Sequence, residues 1–171
     1  MRSICGRLVI VVLLLAAAAA AGAGGLLGGV GREPSSADAR EAAVVTRVVD
    51  GDTIVLKDVG KARLIGVDTP EVFGRRECFG EQASAFAERM LEGRPVRYEI
   101  GVEARDRYGR ALVYVWLRDG RFFNELLVAR GYARTLTIAP NVRYSKRLDL
   151  RARAARLAAR GLWSLTTCPP R

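Results

Sequence analysis

The 171-residue chain contains no histidine. This absence excludes a Ser-His-Asp triad, a cysteine nucleophile paired with an imidazole, and every nuclease mechanism in which histidine is the base, the acid or a metal ligand. Any catalysis must therefore depend on carboxylates, arginines and tyrosines. A metal that takes part would be a hard cation, because such cations prefer oxygen ligands.

Cysteine is scarce as well, with three residues in the whole chain. Cys5 lies in the N-terminal segment, so only Cys78 and Cys168 remain in the rest of the chain. Two cysteines without histidine are too few ligands for a structural zinc site. In an exported protein they are expected to form one disulfide, which would tie the C-terminal tail to the middle of the domain.

Long apolar runs are confined to the N-terminus. Arg2 and Arg7 precede an apolar run over residues 8–15, and alanines and other small residues follow it. This order is typical of a secretory signal peptide, so residues 1–23 are predicted to direct export, to the medium or the periplasm. The alternative is an uncleaved anchor over residues 8–30, and only then is a membrane association expected.

Acidic residues are outnumbered, with 18 Asp and Glu against 28 Lys and Arg and a net charge of +10. Removing Arg2 and Arg7 with the leader leaves 26 against 18, a net charge of +8. Such an excess favours a polyanionic partner: nucleic acid, anionic lipid or an acidic glycan. Arginine supplies 25 of the 28 cations. A general preference for arginine in this chain is therefore an equally good explanation, and charge alone selects no partner.

The remaining pattern predicts one domain. Residues 24–42 are rich in small residues and are predicted to be a flexible linker, with the folded domain over residues 43–171. Strands are expected at residues 43–49, 53–57, 62–67, 96–100 and 111–117, and helices at 81–92, 122–130 and about 143–160. This α+β order is compatible with a five-stranded OB-type Greek-key barrel carrying three helices.

Two acidic clusters stand out in this basic chain, at residues 50–52 (DGD) and residues 68–71 (DTPE). Each has an ordinary structural explanation, because Asp-Gly is a common turn and Thr-Pro-Glu a common helix start. Arg63 would then be an edge-strand charge, and residues 106–110 another polar turn.

The joint pattern favours a site. Asp52 starts one strand and Asp68 ends another, and a small barrel can bring such positions together. Two carboxylates with a backbone carbonyl and waters suit Ca²⁺. Arg63 and Arg110 would then meet at an anionic group bound to that cation, since a guanidinium grips phosphate oxygens in two places.

Six segments in this order resemble the motifs of the staphylococcal nuclease family. They are residues 49–53 (VDGDT), 63–71 (RLIGVDTPE), 80–84 (GEQAS), 106–110 (DRYGR), 124–131 (NELLVARG) and 161–164 (GLWS). The resemblance covers residues 44–164, nearly the whole predicted domain. It implies an OB barrel with three helices, in agreement with the pattern of strands and helices.

The resemblance also implies a calcium site. Asp52, Asp68 and the main-chain carbonyl of Thr69 would bind Ca²⁺, and Asp50 would support these ligands from behind. The substrate would be DNA and RNA, single-stranded or frayed, bound with little sequence preference and cut to leave 3′-phosphates. No protein partner is implied, and the expected state is a monomer.

The catalytic groups follow from the same resemblance. Glu71 would orient or deprotonate the attacking water, and Arg63 and Arg110 would hold the scissile phosphate and stabilise its charge. Arg107 and Tyr108 would contact the nucleic acid. A domain that binds nucleic acid without cleaving it is the alternative function, and an acidic-glycan binder is a third. Neither requires the full set of acids and arginines.

The chain departs from the family pattern in two places. The loop over residues 71–80 is shorter than in the family's type member and contains RREC at residues 75–78. Where the type member has tyrosines that stack on the nucleotide, this chain reads RTLTIAP at residues 134–140. Tyr132 and Tyr144 are the candidates to replace them, and spacing does not choose between the two.

Overall fold

The computed structural model describes residues 40–74 and 76–169, and five strands within them close into a barrel. In chain order the strands are β1 (Glu41–Val48), β2 (Thr53–Leu56), β3 (Gly60–Leu64), β4 (Gly66–Asp68), β5 (Pro95–Arg105), β6 (Ala111–Leu117) and β7 (Arg134–Leu136). The barrel order is β1-β2-β3-β6-β5, closed by pairing of β5 with β1. Only β3 and β6 pair in parallel. The predicted α+β barrel of the OB type is confirmed.

Three helices accompany the barrel in the described residues, as predicted. They are α1 (Gly80–Leu91), α2 (Phe123–Ala129) and α3 (Ser145–Leu157), and a 3-10 turn (Gly161–Trp163) follows them. The buried face of α3 consists of Leu148, Ala152 and Ala155. The helix was expected to continue to about residue 160, but it ends at Leu157, and Ala159 is exposed.

The strand predicted over residues 62–67 is wrong in one respect, because it is two strands. The chain leaves the barrel at Ile65, and β4 pairs with β7 in a separate two-stranded sheet. Gly66 adopts a positive φ of 80° at this break. The carbonyl of Ile65 accepts there from Nδ2 of Asn124 on α2 (2.9 Å), which is fully buried and whose Oδ1 accepts from the N–H of Val115 (3.0 Å). This break carries Asp68 away from the barrel wall and towards the β1–β2 turn.

The barrel core explains why β6 is a continuous apolar run. Val113 and Val115 are fully buried, and the alternate residue Trp116 is buried against the ring of Phe122, with ring centroids 4.8 Å apart. Both faces of β6 are therefore covered. Its first residue lies near the β5–β6 turn, and its last residue lies at the opposite end of the barrel.

The two cysteines of the domain lie together. The sulfur atoms of Cys78 and Cys168 are 2.00 Å apart and their Cα atoms 5.7 Å apart, across 90 residues of sequence. The bridge joins the segment before α1 to the C-terminal tail, as the sequence analysis expected of an exported chain.

The predicted leader, residues 1–23, and the alternative anchor, residues 8–30, lie outside the described residues. Most of the predicted linker, residues 24–42, does so too, although β1 begins at Glu41, two residues before the predicted strand. In the part of the chain that the structure describes, no helix is long and apolar enough to cross a membrane.

Candidate active site

The turn between β1 and β2 places two carboxylates at one end of the barrel. The N–H of Asp52 donates to Oδ1 of Asp50 (3.0 Å), which closes the turn that the sequence predicts. A Cβ at Gly51 would lie 2.7 Å from Cγ2 of Thr69, closer than side-chain atoms tolerate. Glycine at this position therefore allows the turn to pack directly against the segment that follows β4.

Asp52 is held on both carboxylate oxygens. Its Oδ2 accepts from the backbone N–H (2.8 Å) and the hydroxyl (2.9 Å) of Thr69, and its Oδ1 lies 3.0 Å from Nη1 of Arg63. Only 6% of the residue is exposed. The predicted metal ligand is thus fixed between β3 and the segment after β4.

Burial raises the pKa of Asp52 from its ordinary value of 3.8 to about 6. The positive charge of Arg63 and the hydrogen bonds from Thr69 oppose this rise, while the neighbouring Asp50 adds to it. The positive charge around Asp52 therefore does not balance the cost of burying its negative charge. Additional positive charge at this point would favour the ionised carboxylate.

Arg63 links the two acidic clusters. Its Nη1 donates to the carbonyls of Leu64 (3.1 Å) and Val67 (2.9 Å), and its Nη2 donates to Oδ1 of Asp68 (3.1 Å). The Arg63 side chain is largely buried, whereas that of Asp68 is 45% exposed. Asp52 and Asp68 therefore share one guanidinium, which lies between them.

Arg110 reaches the same site from the β5–β6 turn. Its Nε donates to Oδ2 of Asp106 (2.7 Å), whose Oδ1 accepts from the backbone N–H groups of Tyr108 and Arg110 (3.0 Å each). Partial burial acts to raise the pKa of Asp106, but the hydrogen bonds from Arg110 and Tyr108 hold it below its ordinary value. Asp106 thus fixes the Arg110 guanidinium, whose Nη1 lies 3.5 Å from Oγ1 of Thr53.

These groups surround a pocket of about 270 Å³. Its lining consists of Asp50, Asp52, Thr53, Arg63, Thr69, Pro70, Glu71, Val72 and Arg110. Six residues that the sequence analysis selected therefore meet in one place. Asp68 is not among the lining residues and reaches the pocket only through Arg63.

A second cavity of about 510 Å³ adjoins this pocket and shares Arg63 and Arg110 with it. Arg107 and Tyr108 also line the second cavity. The Tyr108 ring is exposed, with the guanidinium carbon of Arg107 at 4.8 Å and that of Arg110 at 5.5 Å from its centroid. An exposed ring with two cations is a surface on which a nucleotide base can stack.

The other wall of the second cavity includes Leu136 and Ile138, which the sequence analysis did not select. Both are partly exposed. This wall is therefore aliphatic and offers an apolar surface without aromatic stacking.

The two tyrosines considered as replacements for the stacking residues lie elsewhere, so that expectation is wrong. The Tyr132 ring stacks on Phe79 and Phe86, with centroids 5.3 and 4.4 Å away. The Tyr144 hydroxyl donates to Glu99 (3.1 Å) on another face of the barrel. Both rings are therefore used in packing against other aromatic residues.

Two polar residues that organise the site had no assigned role in the sequence analysis. Asp106 had a local signal, since it lies four residues before Arg110 and shares a turn with it. Asn141 had none: its side chain accepts from the N–H and donates to the carbonyl of Glu103 (3.0 Å each), across 38 residues of sequence. This contact holds the loop after Ile138 against β5.

The donors at the pocket fit a hard cation. Asp50, Asp52 and Glu71 offer carboxylate oxygens there, and Thr69 adds main-chain and hydroxyl oxygens. Among residues 40–74 and 76–169, no three His, Cys, Asp or Glu side chains are grouped closely enough to hold a metal ion. A hard cation at this pocket would therefore need water or substrate oxygens to complete its ligands.

Comparison with known proteins places these residues in context. A family profile described as "Staphylococcal nuclease homologue" matches residues 61–165. The thermonuclease of Staphylococcus hyicus is 40% identical over 126 residues, which cover 70% of this chain and 74% of that protein. The thermonuclease of Staphylococcus intermedius is 39% identical over 136 residues, 75% of this chain and 80% of that protein. Endonuclease YncB of Bacillus subtilis is 33% identical over 141 residues, 77% of this chain and 66% of that protein.

Proposed function

The chain belongs to the staphylococcal nuclease family of phosphodiester hydrolases, and we propose that it is an exported, calcium-dependent nuclease that cuts DNA and RNA with little sequence preference. The products would carry 3′-phosphates. One observation carries the proposal: the 270 Å³ pocket combines three carboxylates with two guanidinium groups. That combination suits a reaction in which a phosphate is held and a water is activated.

The cation would bind at the carboxylates of this pocket. Asp52 accepts a hydrogen bond from Thr69, Asp50 closes the adjacent turn and lines the same pocket, and Asp68 is linked through Arg63. Calcium bound there would supply positive charge that offsets the buried carboxylates and polarises the scissile phosphate. It would also lower the raised pKa of Asp52, because a nearby cation favours the ionised form.

The two arginines are placed to hold the phosphate. Arg63 is fixed by main-chain carbonyls and Arg110 by Asp106, so both guanidinium groups are positioned before substrate arrives. Donors that are already oriented stabilise the charge that develops on the phosphate without having to reorganise. Glu71 lines the same pocket and would accept the proton of the water that attacks phosphorus, while the P–O5′ bond breaks.

Binding of the rest of the strand would involve the second cavity. Tyr108 offers a stacking surface, and Arg107 beside it offers charge for the phosphate backbone. Such contacts are independent of sequence, sensitive to salt, and most accessible to a single strand or a frayed duplex. The protein would act as a monomer.

Export is proposed from the sequence of residues 1–23. The Cys78–Cys168 disulfide supports it, because structural disulfides persist in oxidising compartments. An anchor over residues 8–30 would instead hold the same domain at a membrane surface. Fractionation of cells that express the full chain, followed by N-terminal sequencing of the product, distinguishes the two.

The test is cleavage of denatured DNA and of RNA by the purified protein, with calcium and then with excess chelator. We expect calcium-dependent cleavage with 3′-phosphate ends, and a loss of rate by orders of magnitude in Glu71→Gln and Arg63→Ala. Asp119→Asn is the matched control, since Asp119 pairs with Arg121 at the opposite end of the barrel. Binding of nucleic acid without cleavage under both conditions would favour the non-catalytic alternative and reject the proposal.

A further inference from the structure

We propose that Glu77 is a positioning residue for Glu71, and that Arg134 and the Cys78–Cys168 disulfide hold Glu77 in place. The inference rests on the proposed function, since the position of Glu71 affects a rate only if the pocket hydrolyses phosphodiesters. It assigns a role to Glu77 and Cys78, which lie in the loop where the sequence departs from the family pattern.

Glu71 depends on its main chain for its position. The residue is exposed, and within the described residues its carboxylate has no hydrogen-bond or ion-pair partner. A side chain that acts on a water molecule must nevertheless stay close to the reactive geometry, because small displacements cost much of the rate. The backbone of Glu71 must therefore be fixed by its neighbours.

Glu77 contacts both main-chain groups of Glu71. The N–H of Glu77 donates to the carbonyl of Glu71 (2.9 Å), and the N–H of Glu71 points to Oε2 of Glu77 (3.4 Å). Glu77 thus provides a hydrogen-bond partner for both the backbone N–H and the backbone carbonyl of Glu71. This paired contact fixes the orientation of the peptide groups on either side of the Glu71 Cα atom.

The first residue of α1 also packs against the main chain of Glu71. A Cβ at Gly80 would lie 2.8 Å from the carbonyl oxygens of Pro70 and Glu71. The helix can therefore begin directly against the Glu71 backbone only because residue 80 is glycine. The N–H of Gly80 also donates to the carbonyl of Glu77 (3.3 Å).

Arg134 connects this segment to the other acidic cluster. Its Nη1 lies 3.7 Å from Oε2 of Glu77, and Arg134 is the residue of β7 that pairs with Asp68 of β4. Both side chains of the ion pair are about half exposed, so the pair adds little to stability. The pair is therefore a weak restraint that supplements the backbone contacts of Glu77, and it brings the segment that holds Glu71 next to the strand that pairs with β4.

The Cys78–Cys168 disulfide restrains the same segment covalently. Cys78 directly follows Glu77 and is joined to Cys168 in the C-terminal tail. The segment between Glu71 and α1 is therefore tied to the domain at one end by the bridge and at the other by β4. Removing the bridge should release Glu77, and with it Glu71, while the barrel stays intact.

The experiment compares steady-state kinetics of Glu77→Ala, Glu77→Gln and wild type on denatured DNA with calcium. We expect kcat of Glu77→Ala to fall roughly 10- to 100-fold with KM almost unchanged, as for a misplaced catalytic group. Glu77→Gln keeps an acceptor for the Glu71 N–H and loses only the ion pair, so its kcat should lie between the other two. Cys78→Ser combined with Cys168→Ser should lower kcat in the same way.

Two further variants separate positioning from a general loss of structure. Arg134→Gln should lower kcat and Arg134→Lys should restore most of it, while thermal unfolding of both matches wild type. Asp119→Asn, which removes an exposed ion pair of similar kind at the far end of the barrel, should leave kcat and KM unchanged.

The outcomes distinguish this inference from the proposed function. An inactive wild-type protein would reject the proposed function. An active wild type that is impaired by Glu71→Gln but not by Glu77→Ala would reject only the positioning role. A rise in KM alone for Glu77→Ala would reject it as well, because it would show that Glu77 contributes to substrate binding instead.

Discussion

Asp52 and Glu125 are buried to almost the same extent, with 6% and 8% of each residue exposed, and each carboxylate contacts arginine. Their pKa values nevertheless shift in opposite directions. Burial raises the pKa of Asp52 to about 6, and Arg63 offsets this only in part. Burial acts in the same direction on Glu125, but Arg147 and Arg151 hold its pKa below the ordinary value.

Although their exposed fractions are similar, the Asp52 carboxylate lies deeper inside the protein than that of Glu125, so burial raises its pKa more. The two carboxylates also differ in how many guanidinium groups each has. Oε1 of Glu125 pairs with Nε of Arg151 (2.5 Å) and Oε2 pairs with Nη2 of Arg147, so each oxygen has an arginine of its own. Asp52 has one arginine, which it shares with Asp68. Glu125 is therefore a neutralised charge that joins α2 to α3. Asp52 keeps negative charge that a cation from solution can neutralise.

The largest expected effect is the loss of activity in Asp52→Asn. The substitution removes the charge that would hold the cation, so we expect cleavage to slow by about a thousandfold, or about 4 kcal/mol of transition-state stabilisation. Single-turnover cleavage of denatured DNA measures this, with circular dichroism to show that the variant is folded. A rate within tenfold of wild type would show that the cation, if one is needed, binds without Asp52.

Glu125→Gln should lower the stability of the fold and leave the rate of the chemical step unchanged. We expect the free energy of unfolding to fall by about 1–3 kcal/mol, since two charge-assisted hydrogen bonds are weakened. The lower part of this range is favoured, because Arg147 and Arg151 are about half exposed and can be solvated by water. Urea unfolding and kcat measured on the folded fraction check both halves of the prediction. A large fall in kcat at full folding would contradict the structural role.

The dependence of stability on pH should separate the two carboxylates. Asp52 binds its proton more tightly in the folded than in the unfolded protein, since its pKa rises from 3.8 to about 6. Its contribution to stability is therefore complete below its ordinary pKa and is lost as pH rises through about 6. For metal-free protein, we expect roughly 1 kcal/mol more stability from this group at pH 5 than at pH 8.

Asp52→Asn should remove the inflection near pH 6. Added calcium should move the wild-type inflection to lower pH, because a cation and a proton compete for one carboxylate. Glu125 has a lowered pKa, so its contribution is present above its ordinary value of 4.5 and is lost only as pH falls below that value. Chemical unfolding at a series of pH values, with and without calcium, measures both. An unchanged inflection in Asp52→Asn would assign it to another group.

Parts of the site could be predicted from the sequence, namely those where one short motif contains both the site residue and the turn that positions it. The turn at Asp50 and Asp52 and the turn that carries Arg110 are local, so their residue types and spacing were sufficient. The barrel was predictable for a similar reason, because short runs of apolar and β-branched residues separated by turn residues are local patterns.

What the sequence could not predict depends on contacts between distant residues. The break at Ile65 combines a local feature, the positive φ of Gly66, with a hydrogen bond from the buried amide of Asn124, 59 residues away on α2. The glycine is visible in the sequence, but the contact with α2 is not. The aliphatic wall at Leu136 and Ile138 is a second case, since nothing in their local sequence shows that β7 pairs with β4 beside the cavity that Arg63 and Arg110 also line.

The smallest expected effect is that of Arg147→Gln, and it tests why the two carboxylates differ. Arg151 still pairs with Glu125 in this variant, and the Arg147 side chain is 53% exposed, so the loss should be below about 1 kcal/mol. If either arginine alone can neutralise most of the charge of Glu125, removing the second arginine must lower the free energy of unfolding more than removing the first. A double-mutant cycle of Arg147→Gln and Arg151→Gln in urea should therefore show more than additive destabilisation. Strict additivity would mean that the two arginines act independently. In that case the number of guanidinium groups would not explain the contrast with Asp52, and the deeper burial of Asp52 and the closeness of Asp50 would have to account for it.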